Sequence, residues 1–215
     1  MLSPQGPGRH GASRRPASRR DRRVRIVGGR LRGRTLSGPR SDAVRPTSDR
    51  LREALFNVLA HRHELPRADT RVLDLFAGTG ALALEALSRG AVHAVLVEAG
   101  VEGRGLIRAN IEALGLTGLT RLLRRDATDL GKAGTIAPFD LVFCDPPYGK
   151  GLGEKALAGA ARGGWLLPNA LCVLEERGTS EIALPPAFEA LERREMGDSQ
   201  LVFSAWRAHK LDTQG

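Results

Sequence analysis

Near the middle of the 215-residue chain, Asp145-Pro146-Pro147-Tyr148 sets a carboxylate, two prolines and an aromatic ring side by side. The apolar run Phe139 to Cys144 comes directly before it and reads as a central strand. Two consecutive prolines fix φ and remove two N–H donors, so the chain continues neither strand nor helix there. Such a rigid loop aims Asp145, the Pro146 carbonyl and Tyr148 into the crevice above a sheet. An amine attached to an aromatic base is a poor nucleophile because its lone pair is delocalised. Hydrogen bonds from its two N–H groups to a carboxylate and a carbonyl favour a pyramidal nitrogen. That frees the lone pair for in-line attack on an electrophilic methyl group, mainly through positioning and electrostatics. Tyr148 offers a face on which an extruded base stacks. Asp-Pro-Pro also makes ordinary surface turns, so the motif gains weight only beside a second one.

That second motif is Val72-Leu73-Asp74-Leu75-Phe76 followed by Gly78-Thr79-Gly80 and a helical run from Ala81. Glycines at a βα junction let the backbone approach a ligand and leave helix N-terminal N–H groups available. Asp74 places a carboxylate near the strand's C-terminal end, where open α/β sheets bind ligands. Gly78-x-Gly80-x-x-Ala83 also satisfies the dinucleotide fingerprint, with Glu98 at a spacing suited to a ribose. The turn alone therefore leaves a nicotinamide cofactor and S-adenosylmethionine both open. Asp126 and Ala127 close a third strand, where Asp126 either receives an adenine amino group or caps a helix. The DPPY loop, next in order, decides for methyl transfer.

The elements that position these residues follow from periodicity. Strands are expected at 71–76, 94–98, 119–125, 140–144 and 170–175, with helices around 81–89, 103–114 and 153–161. Two more strand-like runs, 187–196 and 200–207, are separated by Gly197-Asp198-Ser199, a turn so short that they must be antiparallel. The expected fold is α/β, a seven-stranded, mostly parallel sheet closed by a C-terminal hairpin. Upstream, Val24 to Leu36 reads as a hairpin turning at Gly28-Gly29, with Arg30, Arg32 and Arg34 projecting from one face. Thr47 or Ser48 then caps a helix with Leu51, Leu55, Val58 and Leu59 on its apolar side. Three regions result: an Arg-rich tail over 1–23, disordered when unbound; a hairpin–helix extension over 24–66; and the α/β domain over 67–210.

Charge separates these regions. Residues 1–52 hold fifteen Arg against Asp21, Asp42 and Asp49, a net +12, whereas the whole chain carries +9, which leaves −3 for the remainder. A basic arm on a slightly acidic body suits a polyanion such as nucleic acid. Cys144 and Cys172 both sit in strand-like apolar runs and read as buried thiols of a reducing compartment. No apolar stretch approaches the ~20 residues of a membrane span. A monomeric cytoplasmic protein is expected.

VRIVGGRLRGRTL, RPTSDRLREALFNVL, LDLFAGTGALALEALSRGA and DPPY together resemble the RsmD family, over about Val24 to Trp206. The resemblance implies a Rossmann-like Class I methyltransferase fold. It further implies methylation of guanine N2 at position 966 of 16S rRNA, with S-adenosyl-L-methionine as cofactor and the small ribosomal subunit as partner. Asp74, Phe76, Gly78, Thr79 and Gly80 would then shape the methionine end of the cofactor site, Glu98 the ribose, and Asp126 with Ala127 the adenine. Asp145, Pro146, Pro147 and Tyr148 would be catalytic. Arg30, Arg32 and Arg34, with Arg45 and Arg50, would hold RNA near the mouth of the site. Glu98-Ala99-Gly100 departs from the family pattern, which sets a second acid or polar residue after the first. The alternatives are an N6-adenine DNA methyltransferase, an NAD-dependent oxidoreductase and a non-catalytic RNA-binding assembly factor.

Overall fold

The computed structural model describes residues 24–39 and 48–208. The expectations for the tail over 1–23, for Arg45 and for Thr47 lie outside the described residues. The chain opens with β1 (Val24–Arg25) and β2 (Thr35–Leu36), then α1 (Asp49–His63). Strands and helices then alternate: β3 (Arg71–Leu75), α2 (Ala81–Ser88), β4 (His93–Val97), α3 (Val101–Leu114), β5 (Thr120–Leu123), β6 (Phe139–Cys144), α4 (Leu152–Arg162) and β7 (Leu166–Arg177). It closes with β8 (Phe188–Met196) and β9 (Ser199–Trp206).

The large sheet has seven strands in the order β5-β4-β3-β6-β7-β9-β8. Strands β3 to β7 are parallel, and β9 inserts antiparallel between β7 and β8. From β3 the chain first builds outward through β4 and β5, then returns to lay β6 on the other side. The C-terminal ends of β3 and β6 therefore flank a topological switch point, where such sheets open a ligand crevice.

Period-two side-chain alternation gives the sheet two buried faces. One face presents Val72, Leu96, Leu141, Phe143 and Phe203 to the apolar sides of α1, α2 and α3, and Val24, Ile26 and Leu36 of the N-terminal ribbon join this same cluster. The other face presents Leu73, Leu75, Val142, Cys172 and Val202 to Ala156, Leu157 and Ala160 of α4 and to Trp165. Both cysteines are free and buried, as expected from their apolar surroundings.

Two sequence expectations change. The hairpin does not turn tightly at Gly28-Gly29: each strand is two residues long, and a 3₁₀ turn over Gly29–Leu31 sits between them. Long-range bonds explain the difference. Glu85 accepts from Val27 N at 2.7 Å, while Ser88 accepts from Leu31 N at 2.9 Å and donates to Gly28 O at 2.6 Å. Gly29 has φ +72, and a Cβ there would lie 2.0 Å from Ser88 O, so the docking requires glycine. The period-two face of Arg30, Arg32 and Arg34 is consequently not formed.

In α1, Ser48 caps as expected, its Oγ accepting from Leu51 N at 3.2 Å. The buried side is broader than the leucine pattern and includes Phe56 and Arg52, both 0 % exposed. Arg52 donates to the Arg25 carbonyl at 2.8 Å and pairs with Asp49, which also meets the Arg25 guanidinium at 2.9 Å. Burial lowers the Arg52 pKa, with Asp49 and then Glu85 opposing the shift.

Candidate active site

The glycine loop leaves β3 through strained backbone. Phe76 has φ +62, unusual for a bulky side chain, and Gly78 and Gly80 follow at +55 and +79. Several bonds fix this path: Ala77 N donates to Val97 O at 3.0 Å, Gly80 N to Ala77 O at 2.6 Å, and Asn110 Nδ2 to Thr79 O at 3.0 Å. Helix α2 follows Gly80, which supplies no side-chain cap of its own, and the Asp74 carboxylate reaches into its first turn to accept from Ala83 N.

Glu98, at the end of β4, turns back onto this loop. Its Oε2 accepts from Gly78 N at 2.8 Å and its Oε1 from Gly100 N at 2.6 Å. A carboxylate has about four acceptor positions, so these bonds orient Glu98 and leave capacity for ribose hydroxyls. Gly103 makes the arrangement possible: a Cβ there would lie 2.8 Å from Glu98 and 3.0 Å from Gly78 O. The glycines that follow the missing second acid thus admit Glu98 to the loop, and α3 starts at Val101, two residues ahead of the sequence boundary.

Asp74 is 1 % exposed and accepts from Ala83 N at 3.2 Å. Burial pushes its pKa up to about 7, with the Ala83 bond opposing the rise and nearby Glu98 adding to it. A buried carboxyl so incompletely compensated suits a cationic ligand. Asp126 is exposed and caps the 3₁₀ turn Ala127–Asp129, its Oδ1 accepting from Thr128 N and Oγ1, each at 2.8 Å. Those bonds hold its pKa below the usual value. Ala127 is buried beside it.

The DPPY loop leaves β6 beside the root of the glycine loop at the switch point, with Asp145 N donating to the carbonyl of Leu75, the last residue of β3, at 3.4 Å. Asp145 is half-buried, Pro146 buried and Pro147 exposed. Sequence reasoning missed what fastens the far end of this loop. Tyr148 Oη donates to Glu175 Oε1 at 2.7 Å and lies 2.8 Å from Ser199 Oγ. Gly149 N donates to the Glu176 carboxylate at 3.0 and 3.1 Å. Burial, ahead of the neighbouring carboxylates, raises the Tyr148 pKa, so the phenol stays protonated and donates. The available signal was Leu174-Glu175-Glu176: two acids ending an apolar strand, at the sheet edge where DPPY also ends its strand.

Arg30 and Arg32 are exposed, but the turn that carries them is fastened to Ser88, at the opposite end of α2 from the glycine loop. Eight helical residues span about 12 Å, which separates the root of this turn from the glycine loop. Exposed Arg34 donates to Ala113 O at 2.6 Å, and Arg50 is exposed in the first turn of α1.

The comparisons agree with this geometry. The family model described as "Conserved hypothetical protein 95" matches residues 24–205. The chain belongs to the RsmD family. "Ribosomal RNA small subunit methyltransferase D" of Escherichia coli strain K12 is 37 % identical over 193 residues, covering 89 % of this chain and 92 % of that protein. The solved structure of yhhF from Escherichia coli, at 33 % identity, superposes with a TM-score of 0.73 over 86 % of this chain and 99 % of that one. A more distant structure, an RNA methyltransferase from Salinibacter ruber in complex with S-adenosyl-L-homocysteine, has 14 % identity and a TM-score of 0.58, covering 76 % and 94 %. At that identity the likeness extends to the fold alone. As an RsmD-family chain with this seven-stranded sheet, the protein is an S-adenosylmethionine-dependent methyltransferase of Rossmann-like Class I fold.

Proposed function

We propose that the chain methylates the exocyclic N2 of a guanine in small-subunit ribosomal RNA, at 16S position 966, acting as a cytoplasmic monomer on the ribosomal particle. The observation that carries this reading is the Asp145–Leu75 bond, which sets the DPPY loop beside the glycine loop at one switch point. S-adenosylmethionine supplies the activated methyl group on a sulfonium. Asp74, Phe76, Gly78, Thr79 and Gly80 shape the methionine end, Glu98 faces the ribose, and Asp126 with Ala127 borders the adenine. The Asp145 carboxylate and the Pro146 carbonyl accept the two N–H groups of the target amine and orient its lone pair. With the methyl group that S-adenosylmethionine would supply taken by the target nitrogen, Asp145 would accept the proton that this nitrogen sheds, leaving neutral N2-methylguanine. Pro147 keeps the loop rigid and Tyr148 presents its ring to the base. Residues 67–210 form the methyltransferase domain. The tail over 1–23 and the extension over 24–66 bind RNA, with Arg30, Arg32, Arg34, Arg45 and Arg50 on phosphates. No helix among the described residues is long and apolar enough to cross a membrane.

Mass mapping of N2-methylguanine in 16S rRNA tests this reading, using a strain lacking the gene and complemented with the wild type or Asp145→Ala. The expected result is loss of one modification in the deletion, restoration by the wild type and none by the variant. An unchanged modification pattern in the deletion strain would overturn it.

A further inference from the structure

A groove of about 600 Å³ opens beside Tyr148, between the end of β7 and the β8–β9 turn. Its walls carry Arg177, Thr179, Glu195 and Asp198, with Gly178 and Gly197 leaving gaps in the side-chain lining. Arg177 is firmly rooted. Its N–H donates to Glu176 at 2.7 Å, its carbonyl accepts from Gln200 Nε2 at 2.9 Å, and its backbone pairs with Ser199. The residue is exposed, and its guanidinium makes no ion pair with any described residue. The groove thus combines one donor fork, two carboxylates and one aromatic ring.

This set has a chemical complement. Two carboxylates against one guanidinium leave the walls net negative, which disfavours a phosphate. A base edge carrying both donors and acceptors fits better. Guanine presents O6 and N7 as acceptors, the pair that arginine reads with two parallel bonds. Its N1–H lies between O6 and the N2 amine and needs an acceptor, which a carboxylate supplies. Adenine reverses these polarities: an amine replaces O6, and N1 becomes an acceptor that would face the carboxylate.

Resting on the reading above, in which N2 meets Asp145 and Pro146, we propose that this groove reads the rest of the target base. Arg177 donates to O6 and N7, and Asp198 or Glu195 accepts from N1–H. The loop motif supplies reactivity toward an exocyclic amine, and the groove confines that reactivity to guanine. Because Tyr148 is tied to Glu175 and Ser199, its ring holds the base plane in register with both sets of groups.

The test uses small-subunit rRNA assembled into particles, with guanine or 2-aminopurine at the mapped position. 2-Aminopurine keeps the C2 amine and N7 but lacks O6 and N1–H. The wild type is expected to prefer guanine in kcat/KM by about ten- to hundred-fold. Arg177→Ala is expected to lower the guanine value by a similar factor and to leave 2-aminopurine within about three-fold, so the preference collapses. Asp198→Asn and Glu195→Gln, made singly and together, are expected to reduce it as well. Calorimetry with S-adenosylhomocysteine reports whether each variant keeps its fold and cofactor site. A wild-type preference that survives Arg177→Ala and the double acid variant overturns the groove assignment. A wild type inactive on guanine particles instead refutes the proposed function beneath it.

Discussion

Replacing Asp74 by asparagine removes the most strongly perturbed acid of the cofactor site while keeping an oxygen that accepts from Ala83 N. The native carboxyl, 1 % exposed, has its pKa raised by burial from 3.8 to about 7. Because the folded value lies above the unfolded one, the native state holds a proton that the unfolded chain releases between about pH 4 and 7. Stability from this group is complete below about pH 4 and is lost as pH rises through 7. A shift of about three units corresponds to about 4 kcal/mol in all, of which about 3 kcal/mol falls between pH 5 and 8. Other carboxylates add slopes of their own, so the informative quantity is the difference between wild type and Asp74→Asn. Urea unfolding at pH 5, 6, 7 and 8 should show the wild type losing about 3 kcal/mol relative to the variant across that range. A cationic cofactor beside Asp74 favours the carboxylate, so binding near pH 6.5 should release a proton, read as a buffer-dependent calorimetric enthalpy. Parallel pH profiles for the two proteins would refute the account of Asp74.

Three other perturbations follow from the same structure. Tyr148→Phe removes the hydroxyl held by Glu175 and Ser199. About 1–3 kcal/mol of stability should be lost in urea titration, with kcat reduced at least about ten-fold and cofactor affinity unchanged within about two-fold. Asp49→Ala leaves the Arg52 guanidinium, 0 % exposed, without its carboxylate; a loss of about 3–5 kcal/mol is expected, and one below about 1 kcal/mol would contradict the buried-pair argument. Gly103→Ala forces a Cβ to within 2.8 Å of Glu98 and 3.0 Å of Gly78 O. S-adenosylhomocysteine should then bind at least about ten-fold more weakly, despite the better helix propensity of alanine, and unchanged affinity would sink the close-approach reading.

Most of the α/β frame was legible because its strands are short apolar runs between glycine-marked turns, and pattern alone locates those. The strand over Phe139–Cys144 coincides with its apolar run, and α2 ends one residue before its expected boundary. What pattern could not supply was any feature decided by a distant partner. Arg52 lies on the buried side of α1 only because Asp49 and the Arg25 carbonyl converge on it, and an arginine in a helix otherwise reads as solvent-facing. Alternating arginines in 30–34 suggested a strand, but bonds to Glu85 and Ser88 impose a 3₁₀ turn. Strand β7 begins at Leu166, four residues before the expected run, because ladder pairing with β6 accommodates Pro168 and Asn169 across a register shift.

The same distinction bears on how the site is assembled. Local sequence specifies the DPPY loop, since two prolines need no partner to stiffen a chain. Its orientation depends on both neighbours: Leu75 of β3 holds one end, and Glu175, Glu176 and Ser199 hold the other. The second anchor exists only because β9 inserts antiparallel between β7 and β8, bringing the start of β9 to the end of β7, where Arg177 pairs with Ser199. A parallel strand in that place would bring its C-terminal end to this edge, and the β8–β9 turn would leave the crevice. The closing hairpin therefore completes the site as well as the sheet. The arginine turn at the far end of α2 stands about 12 Å away along that helix. Under the proposed function, the arginine turn and the glycine loop then sit at opposite ends of α2, and a charge change in that turn can alter RNA binding without moving the reacting groups.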